Sequence, residues 1–137
     1  AALLGLPGGH VNCTDGRYIY MRAPENPDNT PLYQYTLMPT RHDAGRAFIE
    51  PEEMQDMELA EPFSFTKGCK LLKINTNGWH GQDYHPFGTM LFDLKTDPGQ
   101  NEPIEDKEVE ARMKKEMKKL MKANDAPEEQ FVRLGLE

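Results

Sequence analysis

The spacing of apolar residues changes twice along this chain, and the changes outline its elements. Val11-Asn12-Cys13 and Arg17-Tyr18-Ile19-Tyr20-Met21-Arg22 are β-type runs on either side of Thr14-Asp15-Gly16. Asp-Gly between two such runs predicts a hairpin. In the second run Tyr18, Tyr20 and Arg22 share one face while Ile19 and Met21 share the other, so burial on both faces is expected. Residues 23–31 hold Pro24, Pro27 and Pro31 and read as a loop. Tyr33, Tyr35 and Leu37 then alternate with Gln34 and Thr36 up to Pro39, which predicts a third strand over residues 32–38. Residues 40–48 are polar, contain Gly45 and predict an irregular connection.

Pro51 suits the first turn of a short helix, and Glu52 and Glu53 suit the positive end of its dipole. Met54, Met57 and Leu59 would supply a narrow apolar face before Pro62 stops the helix. Phe63-Ser64-Phe65-Thr66 and Leu71-Leu72-Lys73-Ile74 read as extended. Residues 75–88 are turn-rich, and residues 89–94 read as a strand closed by Asp97-Pro98-Gly99. The pattern then changes to a helical period over residues 105–122. Val109, Met113, Met117, Leu120 and Met121 form one stripe, and Glu108–Arg112 and Glu110–Lys114 are favourable i,i+4 pairs. Asp125-Ala126-Pro127-Glu128 matches a capping box opening a last short helix, and Gly135 would close it. Strands followed by helices predict an α+β fold, with a small antiparallel sheet packed against a long C-terminal helix.

Composition narrows the function classes. The 137 residues have room for one domain with one modest core, and 37% hydrophobic with 28% charged residues is a globular balance. A formal charge of −7 argues against nucleic acid or an anionic membrane as the main partner. No apolar run approaches the roughly 20 residues of a membrane-spanning helix. Ala1-Ala2-Leu3-Leu4-Gly5-Leu6-Pro7-Gly8-Gly9 lacks a basic flank and is interrupted by Pro7, so it does not read as a signal peptide. It begins as though continuing from a longer chain. Cys13 and Cys69 do not make a disulfide scaffold; they allow one bridge at most.

Two stretches resemble the C-terminal subdomain of bacterial sulfatases. Gly8-Gly9-His10-Val11-Asn12-Cys13-Thr14-Asp15-Gly16-Arg17-Tyr18-Ile19-Tyr20-Met21-Arg22 is similar to the strand pair that opens that subdomain. Met90-Leu91-Phe92-Asp93-Leu94-Lys95-Thr96-Asp97-Pro98-Gly99-Gln100-Asn101 resembles the family's Leu-Tyr-Asp-Leu…Asp-Pro-x-Glu pattern, with Phe92 in place of Tyr and Gln100 in place of Glu. Residues 35–38, 63–69 and 124–135 are similar to the same branch, so the likeness covers nearly all of residues 1–137 in the family's order. The resemblance implies an alkaline-phosphatase-like parent enzyme. Its larger domain holds calcium and a formylglycine made within a Cys/Ser-x-Pro-x-Arg motif. This chain would be the smaller part docked beside that site, with the catalytic domain of the same parent as its partner and a sulfate ester as the parent's substrate. No catalytic residue, metal or cofactor is expected within the chain itself.

The residues with chemistry of their own are few. Cys13 and Arg17 stand at the maturation-motif spacing, but Asp15 occupies the place of its Pro, and the segment reads as a hairpin. His80, Asp83 and His85 are spaced like metal ligands in a loop marked by Gly78, Gly81 and Pro86; zinc would need further converging ligands. Trp79 and His85, with Tyr84, would line a pocket for a sugar or aryl group, or else shelter a sheet edge. Arg41, Arg46 and His42 suit a sulfate or a carboxylate, or are ordinary loop charges. His10 and Asn12 follow Gly8-Gly9, where backbone can approach a ligand closely; alternatively His10 is a satisfied histidine at a strand end. The candidate substrate-binding set is therefore His10, Asn12, Arg41, His42, Trp79 and His85. The lysines of residues 114–122 read as a solvated helix face, since Glu116 interrupts them. A subdomain built to dock should expose apolar side chains, with Leu3, Leu4 and Leu6 first and Phe63, Phe65 and Trp79 next, and should self-associate through them. The rival readings are a phosphodiesterase or phosphonate hydrolase of the same architecture, and a free-standing binding or structural module.

Overall fold

The computed structural model describes residues 1–38, 40–43, 46–76 and 83–137, with residues 40–43 and 46–48 described by their backbone alone. The contacts divide the chain into two compact units, one of Ala1–Pro31 with Asp83–Glu137, the other Leu32–Gln82.

The first unit is a four-stranded antiparallel sheet with helices, the α+β arrangement that the residue pattern predicts. Its strands are β1 (Ala2–Gly5), β2 (Val11–Thr14), β3 (Tyr18–Arg22) and a late strand, Met90–Asp93, which pairs directly with β3. Leu3, Cys13, Tyr20 and Leu91 lie opposite one another in a row across all four strands. On that row packs helix α1 (Lys107–Ala123), whose Met113, Met117 and Met121 are buried at successive i,i+4 positions. Val109 is partly buried against the same core, and so is Leu120, which the stripe places at its centre but the fold leaves at its margin. Asp106 caps α1 by accepting from the N–H groups of Glu108 and Val109, so the helix begins two residues later than its pattern suggests.

The hairpin at Asp15-Gly16 forms as expected. The Asp15 carboxylate accepts from the N–H groups of Arg17 (2.9 Å) and Tyr18 (2.8 Å), and Gly16 takes the positive φ the turn requires. Arg17 then forks onto Asp93, with Nη2 at 2.7 Å from Oδ2, and Arg112 of α1 reaches the other oxygen of Asp15 at 2.7 Å. Both guanidiniums lie over the Tyr18 ring, Arg17 at 4.7 Å and Arg112 at 5.5 Å from its centroid. One cluster thus ties the hairpin to the late strand and to α1. Arg17 holds the Asp93 carboxyl below the usual carboxylate range.

The end of α1 corrects the predicted capping box. Asp125 has φ +56 and is the left-handed residue that closes α1. The Ala126 N–H reaches the Met121 carbonyl (2.9 Å) and the Asp125 N–H reaches that of Lys122, a Schellman arrangement sealed by Ala126 on the core. Helix α2 (Glu128–Arg133) therefore starts after Pro127, with no side-chain cap. Its own end repeats the motif: Gly135 has φ +58, and the Leu136 N–H bonds to the Phe131 carbonyl, with both side chains in the core. Leu3 packs against this core, which departs from its expected exposure; Leu4 and Leu6 are 55% and 59% exposed. β1 itself was not apparent in the residue pattern, because Ala2-Leu3-Leu4-Gly5 does not alternate.

The second unit has a three-stranded antiparallel sheet. Its central strand (Leu71–Asn75) is flanked by β4 (Tyr33–Thr36) and by a short strand (Glu58–Ala60). Here the local pattern is a poorer guide. Thr40–Asp43 and Arg46–Phe48 pair as a two-stranded ribbon where an irregular connection was expected. The helix expected from Pro51 is a set of turns: Met54 N–H bonds back to Glu50 and Pro51, and the chain does not propagate. A first turn without a broad apolar face to bury does not repay its nucleation. Leu59 instead lies in a strand. Ser64–Thr66 is a 3₁₀ turn, not an extended run, with the Thr66 hydroxyl bonded to the Phe63 carbonyl. Among the described residues of this unit, Leu32, Ile49, Leu71 and Ile74 are buried.

Candidate functional site

The polar interior of the first unit gathers at the turn of residues 6–10. Gly9 N–H bonds back to the Leu6 carbonyl (2.9 Å), and Gly8 takes φ +78. A Cβ at position 9 would lie in van der Waals contact with the Leu6 carbonyl and the Tyr84 ring, so the turn packs closely on Tyr84. Three side chains then hold the turn. Asn29 Nδ2 donates to the Gly8 carbonyl (2.7 Å), Arg133 Nη1 donates to the Gly9 carbonyl (3.2 Å), and His10 Nε2 faces the Gly88 carbonyl at 2.8 Å. A carbonyl only accepts, so the His10 nitrogen facing Gly88 carries the proton and Nδ1 is the one left to accept. The His10 ring also stands edge-on to Tyr84.

Arg133 is the least expected member. It is 2% exposed, and among the described residues its hydrogen-bond partners are neutral: the Gly9 carbonyl, Asn29 Oδ1 (2.9 Å) and Gln130 Oε1 (3.0 Å). Burial pushes its pKa down to about 10, and no carboxylate among the described residues offsets it. The guanidinium still keeps its proton at neutral pH, so a positive charge sits behind the turn of residues 6–10. Its sequence context, a basic residue in the last turn of a helix, is that of an exposed dipole partner, and no local signal marks it as buried.

The predicted site residues separate. His10 lies in this cluster. Asn12 lies two residues along β2 on the face opposite the core row, and its Oδ1 is buried with no donor among the described residues. His85 begins a 3₁₀ turn (His85–Phe87) between Tyr84 and Gly88, both of which contact the His10 ring, and its own N–H bonds to Asp83. Arg41 and His42 fall on a strand of the second unit, and their side chains lie outside the described residues, as does all of Trp79. His80, of the possible metal spacing, also lies outside them. Among the described residues no three His, Cys, Asp or Glu side chains converge.

Cys13 does not fit the place of a formylglycine precursor. It has no exposed surface, it sits in the middle of the core row, and burial, reinforced by Glu116, pushes its thiol pKa up. Both cysteines are free thiols, and Cys69 is exposed. The cluster therefore holds a charge and orients a turn. Comparison with known proteins finds no matching family model, curated protein or solved structure.

Proposed function

We propose that this chain is the C-terminal subdomain of a sulfatase-family hydrolase, buttressing the parent's active-site domain and contributing to selection of the organic half of a sulfate ester. The observation that carries this reading is how the two resembling stretches meet. Residues 11–22 and 90–93 are far apart in sequence, yet β3 pairs with the late strand, Arg17 bonds Asp93, and α1 follows to cover them. That is the arrangement expected if both stretches belong to one structural unit. The positive charge of Arg133 behind the turn of residues 6–10 adds a second support, because it favours an anionic group near His10. Calcium and formylglycine would come from residues outside this chain, and no step of the chemistry is assigned to residues within it.

The test is the reading frame that encodes the chain, followed by an assay of its full product. A Cys/Ser-x-Pro-x-Arg motif in that frame, with calcium-dependent turnover of an aryl sulfate that disappears when its Cys or Ser is changed to Ala, is the expected result. A frame without the motif overturns the proposal. Turnover of a phosphodiester in preference to a sulfate ester assigns the chain to the phosphodiesterase and phosphonate hydrolase branch instead.

A further inference from the structure

Helix α1 holds most of the positive charge of this acidic chain. Residues 112–122 carry six basic side chains and one acidic one, a net +5, so the rest of a chain of net −7 carries −12. The fold turns this surplus outward. Met113, Met117 and Met121 are buried in the core. Lys115, Lys118, Lys119 and Lys122 stand at i, i+3, i+4 and i+7 on the opposite side of the helix, a stripe about 10 Å long at 1.5 Å per residue. Lys115, Lys119 and Lys122 are exposed. Neighbouring acids leave much of the stripe uncompensated. Glu110 stands four residues before Lys114 but turns to the Tyr20 hydroxyl (3.4 Å), and Arg112 reaches Asp15. Glu116 interrupts the lysines in sequence and pairs with Lys119 (3.5 Å), while Lys118 Nζ donates to the Glu137 carbonyl (3.2 Å). Lys115 and Lys122, with Lys114 at the flank, are left with no ion pair among the described residues.

Several cations along one face attract a ligand that repeats its negative charge, and screening confines that attraction to the stripe itself, within about 8–10 Å at ordinary salt. The rest of the helix narrows the ligand further. A helix held on an anionic membrane inserts an apolar face, and that of α1 is already buried on its own sheet. Single-stranded nucleic acid stacks its bases on aromatic rings, and α1 has none. The core of a protein interface is depleted in lysine. A polysaccharide bearing sulfate or carboxylate groups along its chain needs only spaced cations, and its hydroxyls can stay in water.

We infer that Lys115, Lys119 and Lys122 bind an anionic polysaccharide. This goes beyond the hydrolase reading and does not rest on it, because the stripe holds a chain whichever bond the parent cleaves. The test is the fluorescence anisotropy of a labelled heparin fragment with the full chain, at low and at physiological salt. Unlabelled heparin, hyaluronan, oligo-dT and phosphatidylserine vesicles serve as competitors. Binding that weakens as salt rises is expected. Changing Lys115, Lys119 and Lys122 together to Gln should weaken it at least about tenfold, through the loss of three charge contacts. Changing the exposed Lys67, Lys70 and Lys95 to Gln alters the net charge equally and should leave binding within about twofold. Glutamine is a good helix former, so the fold should be kept, and matching urea midpoints check this. Competition by hyaluronan includes carboxylate polymers in the ligand class, and its failure confines the class to sulfated ones; either supports the inference. No binding at low salt, equal weakening by the two triple variants, or competition by oligo-dT or the vesicles at least as strong as by unlabelled heparin overturns it.

Discussion

Replacing Asp15 by Asn should remove a charge-dependent part of the stability that can be read against pH. Asp15 sits at the hairpin turn with side-chain exposure of 24%. Its burial alone would push its pKa up. The N–H of Tyr18, the Arg112 guanidinium and the N–H of Arg17 outweigh that and hold it at about 2, against an ordinary value of 3.8. A carboxylate whose pKa is lower in the folded chain stabilises the fold above its unfolded pKa, and the stabilisation fades as pH falls through the folded pKa. With 1.36 kcal/mol per unit, a shift from 3.8 to about 2 is worth about 2 kcal/mol at pH 7, about 1 at pH 3 and less than about 0.5 at pH 2. Asparagine keeps the side-chain carbonyl that accepts from Arg17 and Tyr18, so the turn should survive, while the charge and the acceptor for Arg112 are lost together. Urea unfolding of both proteins at pH 7, 5, 3 and 2 gives the difference directly. A difference of about 2 kcal/mol that shrinks below pH 4 supports the argument. A difference equal at pH 7 and pH 2 would mean that hydrogen-bond geometry, not ionisation, carries the effect. One below about 0.5 kcal/mol at pH 7 would mean that solvent screens the Arg112 pair.

Met113→Ala and Met117→Ala should each cost about 2–4 kcal/mol, since both side chains are fully buried in the core. Leu120→Ala should cost less and Lys115→Ala under about 0.5; equal losses at Met113 and Lys115 in urea titrations would refute the packing described. Arg133→Met should destabilise by about 2 kcal/mol, because the Gly9 carbonyl and Asn29 lose a donor, and Arg133→Ala by more, as it leaves a cavity. A Met variant more stable than the wild type would show that desolvation of the guanidinium outweighs its three hydrogen bonds. The 137-residue chain alone should not hydrolyse an aryl sulfate with calcium present, and turnover abolished by Cys13→Ala would contradict the buried position of that thiol.

The elements legible in the sequence are those whose causes are local. The stripe Met113, Met117 and Met121 needs only the helical period to predict a buried face, and Asp15-Gly16 needs only its own turn geometry. Gly135 closes α2 because a left-handed residue without Cβ strain is required there. The α+β class follows from the order of such elements. Where two local explanations compete, sequence cannot choose between them. Asp125 suits a helix N-cap and also tolerates positive φ, and contact of Ala126 with the core, beyond the end of α1, favours the second.

The candidate cluster shows the same division. His10 and the paired glycines before it mark a place where backbone comes close to something, but its partners, Tyr84 and Gly88, lie more than 70 residues away. The pairing of β3 with the Met90–Asp93 strand spans the whole inserted unit, and no periodicity within either strand encodes it. Arg133 is the extreme case. Its residue type and its place in the last turn of a helix predict exposure, and only the meeting of α2 with the turn of residues 6–10 and Asn29 removes it from water. Sequence determined the periods, turns and caps, whose energies are set within a few residues. Tertiary structure decided which polar groups are buried together, because desolvation depends on every element that closes over them.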